Sequence, residues 1–315
     1  MKGKSMKILF FIVNTAASNG KSLKVWRKLV IELDQRKVNY RSFNTKYPGH
    51  ATELARQIAK MYGDKVAGII CVGGDGTMNE IVNGLVDHPE VKIGFIPAGT
   101  GNDFSRGYSL PKSHLDALKV ILKRMNMPVR KYDVGKASFD QLKKSHGFVN
   151  SLGIGFDAEV SKLANESKIK KYLHQLGLGF LSYVVALMRL LFTYEVTNVT
   201  LTIDGNIYRF QNVWFVTISN QSYYGGGMKI SPNARPNDGI LNITVVHNIS
   251  RLKLLAVFGS VFVGKHVLFK EVSSYTGEII RVDSDKPLLI HVDGEQVAKS
   301  PVTVTIEKSR MSIIN

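Results

Sequence analysis

The sequence predicts an α/β protein in two parts: an N-terminal doubly wound, mostly parallel α/β domain over residues 1–130 and a C-terminal antiparallel β-rich domain over 131–300. Three observations predict it. Apolar strand-like runs alternate with helical periodicity through the first 130 residues. Short β-like runs broken by turn dipeptides fill most of the remainder. Glycine-rich turns stand where strands give way to helices.

The elements follow in order. "KILFFIV" is a strand, residues 14–20 a turn, and Leu23 to Arg36 a helix. "VNYRSFNT" is a second strand. "HATELARQIAKMYG" is a helix with Leu54, Ile58 and Met61 at helical spacing. "VAGIICVGG" is a third strand and 77–86 a helix. "KIGFIPAGTGND" is a fourth strand and loop, followed by the helix "SHLDALKVILKRM". Alternation of this kind makes a mostly parallel sheet, whose ligands bind beyond the carboxyl ends of the strands. Asn14–Gly20, Gly73–Asn79 and Pro97–Asp103 all fall there.

After about residue 131 the strand-like runs are "KYDVGKAS", "GFVNSLGIG", "NVTLTIDG", "RFQNVWFVTISN", "GILNITVVH", "GEIIRVDS", "LLIHVDGE" and "VTVTIE". Asp204-Gly205 and Asp238-Gly239 are turn signals. Helical patterns recur only near 159–192 and 251–264. The tail, about 301–315, is expected to return to the first domain.

The 315 residues are 44% hydrophobic and 21% charged, an ordinary globular composition. The single cysteine, Cys71, sits in an apolar run, which suits a buried thiol and a reducing compartment. The net charge is +17, and residues 1–50 hold eleven Lys/Arg against two Asp/Glu. Such a surplus suits an anionic partner. No zinc-finger spacing, RNP-like aromatic motif or basic heptad is present, so nucleic acid is not the expected partner. "ILFFIV" is too short for a signal peptide's apolar core and reads as a first strand. "LGLGFLSYVVALMRLLF", residues 176–192, carries Gly177, Gly179 and Arg189 and reads as a buried or interfacial helix.

"GGDGT" before a helix places small residues and open N–H donors where a phosphate could approach. Thr77 suits a cap or a phosphate contact. Asp75 would repel a bare phosphate, which suggests Mg²⁺. A plain glycine turn, with Asp75 and Thr77 as local caps, explains the motif equally well. The second loop, "PAGTGNDFSRG", tips the balance toward phosphate. Neither loop is a Walker A or a G-x-G-x-x-G fingerprint.

These blocks together resemble the diacylglycerol kinase catalytic domain, closest to the soluble bacterial lipid kinases related to sphingosine and ceramide kinases. "VNTAASNGKS" resembles the family's N-P-x-A-G-x-G opening, with Thr15 in place of proline and Ser18 in place of glycine. "NSLGIGFDAEV", "ISNQSYYGGGMKISPNARPNDGILNITVV" and "IHVDGEQV" resemble later blocks in order, so the likeness spans nearly the whole chain.

The resemblance implies an NAD-kinase/diacylglycerol-kinase-like fold. It implies an ATP site from Asn14, Thr15, Ala16, Ala17, Ser18, Thr45, Gly73, Gly74, Asp75, Gly76, Thr77, Met78, Asn79, Thr100 and Asp103. It implies Mg²⁺ near Asp75 and a second ion held by Asp238 and the carbonyls of Arg235 and Ile240. Glu295, or else Asp293, would be the catalytic base, against the alternative of a β-turn with two solvated acids. The expected reaction moves the ATP γ-phosphate to a lipid hydroxyl, foremost diacylglycerol. Other acceptors and a non-catalytic regulator are the alternatives. A cytoplasmic protein, peripheral at an anionic inner membrane face, fits the charge, with Lys162, Lys168, Lys170 and Lys171 toward headgroups; a homodimer is compatible.

Overall fold

The computed structural model describes residues 7–143, 145–166 and 181–315. Lys168, Lys170, Lys171 and the start of the 176–192 stretch lie outside the described residues. The chain divides into two units: one runs to Tyr132 and takes back Ser309–Asn315, the other is Asp133–Lys308.

In the first unit, β1 (Ile8–Val13), β2 (Tyr40–Asn44), β3 (Val66–Gly73) and β4 (Lys92–Pro97) are parallel, in the order β2-β1-β3-β4. Ser312 and Ile313, at the end of the last strand, pair parallel with Lys92 and Ile93 beside β4. β1 and β3 are almost wholly buried, as strands covered on both faces must be. β2, at the edge, alternates between exposed and half-buried positions.

The sheet is covered by α1 (Lys21–Gln35), α2 (His50–Tyr62), α3 (Asp75–Gly84), the short α4 (Asp103–Gly107) and α5 (His114–Arg124). Trp26, Leu29 and Leu33 of α1 and Ala117, Leu118 and Ile121 of α5 pack on Leu9, Phe11 and Val13. Phe10 points the other way, onto Tyr62 of α2. Alternating β1 side chains therefore serve opposite layers. On α2, Leu54 and Ile58 are buried, but Met61, at the same spacing, lies past the core's edge and is 74% exposed.

The second unit is antiparallel, and β5 (Arg130–Phe139) pairs there with β6 (His146–Phe148). β7 (Ser151–Gly155), β8 (Thr197–Ile203), β9 (Asn206–Ser219), β12 (Ile279–Ser284), β13 (Leu289–Val292) and β14 (Glu295–Lys299) run in the order β14-β13-β7-β9-β8-β12. β10 (Leu241–His247) joins β9 and β11 (Val272–Gly277). β9 pairs with β8 through its first half and with β7 and β10 through its second; Asn212, at φ +50°, stands where the partners change. Asp204-Gly205 makes the two-residue β8–β9 turn with both φ positive.

The strand expected over "GFVNSLGIG" is broken into β6 (His146–Phe148) and β7. The cause is local: the N–H groups of Val149, Asn150 and Ser151 turn to the Asp293 carboxylate. The helical pattern expected at 159–192 yields two described helices, α6 (Phe156–Glu166) and α7 (Leu181–Thr193).

Candidate active site

Four loops of the first unit open at one edge of its sheet. Val13 is level with Asn44 and Val72, and Gly73 with Pro97, so the strands end together. The chain reverses its winding at β1 and β3, the place where an open α/β sheet leaves a crevice. The loops after those strands are joined there. Asn14 Nδ2 donates to Thr77 Oγ1 at 2.9 Å, while Asn14 Oδ1 accepts from the N–H groups of Ala16 and Ala17 at 3.2 and 3.1 Å. Thr15 lies in this turn, and Thr45 leaves β2 with its N–H on Val13 O at 2.9 Å. Ser18 has φ +51°, a conformation that favours glycine, and its hydroxyl lies 3.2 Å from that of Thr100.

The glycines are less uniform in purpose than the sequence suggests. A Cβ on Gly73 would lie 2.8 Å from Thr77 Oγ1. A Cβ on Gly99 would lie 2.5 Å from Gly74 Cα, so these two glycines serve the packing of one loop on the other. Gly76, in the first turn of α3, borders open space. The earliest bond inside α3 is from Met78 N–H to Gly74 O, 3.1 Å, so the N–H groups before it belong to the helix's open, positive end. The Met78 side chain is fully buried in the core, and Asn79 bonds Asn83 one turn on.

Asp75 reaches across the loops. Its carboxylate accepts from the N–H groups of Asp103 and Phe104 at 3.1 and 2.8 Å and so caps α4. Asp103 is buried, with Oδ1 2.7 Å from Arg106 Nη1. Asn102, at φ +53°, bonds both the N–H and the carbonyl of Gly99. Glu80 escaped the sequence reading. It accepts from the N–H groups of Gly49 and Ala51 at 2.9 and 3.0 Å and caps α2. A helix opening without a Ser, Thr, Asp or Asn cap was the only signal for it.

In the second unit, Asp293-Gly294 is a two-residue hairpin turn with φ +48° and +89°, flanked by the pair Val292 and Glu295. The two acids are therefore not equivalent positions on one strand face. Asp293 accepts three backbone N–H groups, from Val149, Asn150 and Ser151, at 2.9, 3.0 and 2.9 Å. Glu295 begins β14 with its side chain exposed. Buried Asn220 donates to Asp133 O and Val149 O at 2.9 and 3.2 Å, linking this hairpin's support to the Asn237-Asp238-Gly239 turn.

At that turn Asp133 accepts from Gly239 N–H at 2.8 Å. Asp238 lies at the surface. Loss of part of its hydration raises its carboxyl above the ordinary value, with the charge of Asp133 adding to this, while its bond from Ile240 N–H and the charge of Arg235 act against it. Among the described residues no group of three or more His, Cys, Asp or Glu gathers as a metal site. Mg²⁺ needs only one or two carboxylates beside waters and carbonyls, and two acids whose charges oppose each other fit such an ion. The sequence reading named Asp238 and missed Asp133, whose isolated position in "KYDVGKAS" gives no spacing to recognise.

Comparison with known proteins gives the family of the chain. The family described as "Diacylglycerol kinase catalytic domain" matches residues 8–137. The family described as "YegS C-terminal NAD kinase beta sandwich-like domain" matches 150–315. The Bacillus subtilis protein YtlR, provisionally named a lipid kinase, is 36% identical over 96% of this chain and 98% of its own. The diacylglycerol kinase of Mycobacterium tuberculosis H37Rv is 26% identical over 96% and 93%. A crystal structure from Bacillus anthracis Sterne, provisionally titled a diacylglycerol kinase, has a TM-score of 0.77 at 26% identity, covering 100% of this chain and 96% of that one. The chain belongs to the diacylglycerol kinase family, and its fold is that family's α/β domain with a β sandwich-like C-terminal domain.

Proposed function

We propose that this protein is an ATP- and Mg²⁺-dependent lipid kinase that phosphorylates a hydroxyl of diacylglycerol, giving phosphatidic acid. Two features, one in each unit, support the reading. One is the open N-terminal end of α3, with Asn14, Thr77 and Gly76 around it. The other is Glu295, an exposed carboxylate beside a hairpin turn whose Asp293 accepts from Val149, Asn150 and Ser151 N–H and whose Gly294 bonds His291, Ser161 and Asn165.

In this reading the N–H groups opening α3, with Asn14, Thr77, Ser18 and Thr100, hold the phosphates of ATP. Asp75 and Asp103 keep the two loops in register. Asp238 with the carbonyls of Arg235 and Ile240, beside Asp133, would hold Mg²⁺ in the second unit. Bound at the phosphates, Mg²⁺ would supply neutralisation of the charge that builds on the transferring group. Glu295 takes the proton of the acceptor hydroxyl while the hydroxyl oxygen bonds the γ-phosphorus, and ADP leaves with the electrons of the broken P–O bond.

The lipid partner is supported by exposed apolar side chains on the second unit. Val185, Met188 and Phe192 lie on α7; Leu252 lies on α8 (Arg251–Val261), and Phe262, Val263 and Leu268 follow it. Arg189, Lys265 and Lys270 are exposed among them. Each cation near an anionic bilayer contributes roughly 1 kcal/mol. No described helix is long and apolar enough to cross a membrane.

The test is transfer of labelled phosphate from ATP to a panel of lipids in mixed micelles with Mg²⁺, with NAD and the Glu295→Ala variant alongside. Labelled diacylglycerol and an inactive variant support the proposal. Labelled NAD, or ATP binding without turnover on any lipid, overturns it.

A further inference from the structure

We propose that Asp157 and His291 form a positioning pair that fixes the tautomer of the imidazole and thereby holds the turn that presents Glu295. This rests on the reading of Glu295 as the proton acceptor.

His291 lies on β13, two residues before the Asp293-Gly294 turn, and is 4% exposed. Its Nδ1 accepts from Gly294 N–H at 3.2 Å. An accepting Nδ1 must carry its lone pair, so the proton of the neutral ring sits on Nε2. Nε2 faces Asp157 Oδ2 at 3.5 Å. Asp157 is the second residue of α6, and its side chain is 9% exposed. No hydrogen-bond donor of the described residues reaches either of its oxygens, which leaves the imidazole as the counterpart of a buried carboxylate. A carboxylate set beside one ring nitrogen favours the tautomer whose proton points at it.

The strand beneath is cut to fit. A Cβ on Gly153 of β7 would collide with both Asp157 Oδ2 and His291 Nε2. The same helix grips the other side of the turn peptide. Ser161 Oγ and Asn165 Nδ2, both on α6, donate to Gly294 O at 3.3 and 3.4 Å. The N–H and the carbonyl of Gly294 are thus both tied to α6, one through the pair and one directly. Asp293, next to it, is fixed by its three backbone donors. Neither Asp157 nor His291 needs to touch the substrate: they set where the next residue, Glu295, stands.

Two substitutions at His291 separate the role from mere filling of space. His291→Asn keeps an acceptor near the Nδ1 position and withdraws from Asp157. His291→Gln reaches toward Asp157 and withdraws the acceptor from Gly294. With diacylglycerol in mixed micelles, His291→Gln should lower kcat by roughly 10–100-fold, as misplacing a reacting group by about 1 Å does, with KM for ATP unchanged within about twofold. His291→Asn should recover most of that loss. Equal kcat losses for the two, or a loss confined to KM for ATP, would overturn the proposal.

A second measurement does not depend on activity. Long-range ¹H–¹⁵N correlation on the full chain with labelled histidine should show His291 as the Nε2-protonated tautomer near neutral pH, and a mixture in Asp157→Ala. An Nδ1-protonated or doubly protonated ring in the unsubstituted protein would overturn the pair. Glu295→Gln is assayed beside these variants. If it keeps its kcat, the reading of Glu295 as base fails, while the tautomer experiment still decides the pair by itself.

Discussion

Asp293→Asn and Glu295→Gln should separate stability from chemistry, although the residues are two apart. Asp293 holds three backbone N–H groups at 2.9–3.0 Å, two on Oδ1 and one on Oδ2. An asparagine keeps one oxygen, which can retain the bonds from Asn150 and Ser151. Its amide then points N–H at the N–H of Val149. One charge-assisted bond is lost, worth about 1.5–3 kcal/mol, and the two survivors become neutral bonds of about 0.5–1.5 kcal/mol each. The expected loss is about 2–4 kcal/mol. For a unit of this size that corresponds to a fall in Tm of roughly 5–15 °C. Glu295→Gln replaces an exposed carboxylate by an amide of the same shape and should cost about 0.5 kcal/mol or less. Its kcat should fall by roughly 10²–10⁴, the usual contribution of a positioned base. Calorimetry and phosphate transfer on the two variants give the answer. The reasoning is refuted if Asp293→Asn melts like the unsubstituted protein but loses all turnover, or if Glu295→Gln turns over normally.

Gly99→Ala should push the two glycine loops apart, because its Cβ would sit 2.5 Å from Gly74 Cα. Overpacking of this kind costs about 1–3 kcal/mol, so both the melting temperature and its rise on adding ATP should drop; calorimetry with and without nucleotide checks this. His266 is buried with Nε2–H donating to Ile230 O at 2.9 Å, and burial lowers the tendency of the ring to take a second proton. Its folded pKa lies below the unfolded value of about 6.5, so the unfolded chain binds the proton first on acidification. Stability should therefore fall as the pH drops below about 7, and His266→Gln should flatten that slope; denaturant titrations across the range test it, with His247, shifted in the same direction by burial, leaving a residual slope. Burial raises the Cys71 thiol well above its ordinary value, and the charges of Asp75 and Glu80 add to this. At pH 8 a thiol reagent should leave the native protein unlabelled and label it fully in denaturant.

The parallel half of the fold was legible because its signals are local. Three apolar runs and the mixed run "VNYRSFNT", each followed by a helical period, give β1 to β4 within a few residues, and the glycine loops mark the edge where the sheet ends. The antiparallel half gave its strands but not its breaks. Nothing around Val149–Ser151 shows that their N–H groups are claimed by a carboxylate more than 140 residues away. The same limit governs the site. Asp75, Asn14 and Thr77 announce themselves by motif. Glu80, Asp133, Asn220, Asp157 and His291 act through long-range contacts, and a sequence read along its length carries no trace of which strand will lie beside which. Ser18 shows the converse: its departure from glycine is visible in the sequence, but only φ +51° shows that the position is one where glycine is favoured.

The acids of the two motifs take on a different meaning once their partners are known. In the sequence, Asp75 in a phosphate-type loop argued for a cation, since a carboxylate and a phosphate repel. In the structure, the two N–H groups opening α4 already attract that charge. A short helix has a weak macrodipole, but its first N–H groups still need acceptors, and a carboxylate satisfies two of them at once. Asp293 does the same for three N–H groups at a break between strands. In both places an aspartate clasps the backbone of a distant loop, and a neutral side chain could not accept as many bonds as strongly. Glu295, two residues on, is exposed where Asp293 is turned into the backbone, and that difference is what the Asp293→Asn and Glu295→Gln variants compare.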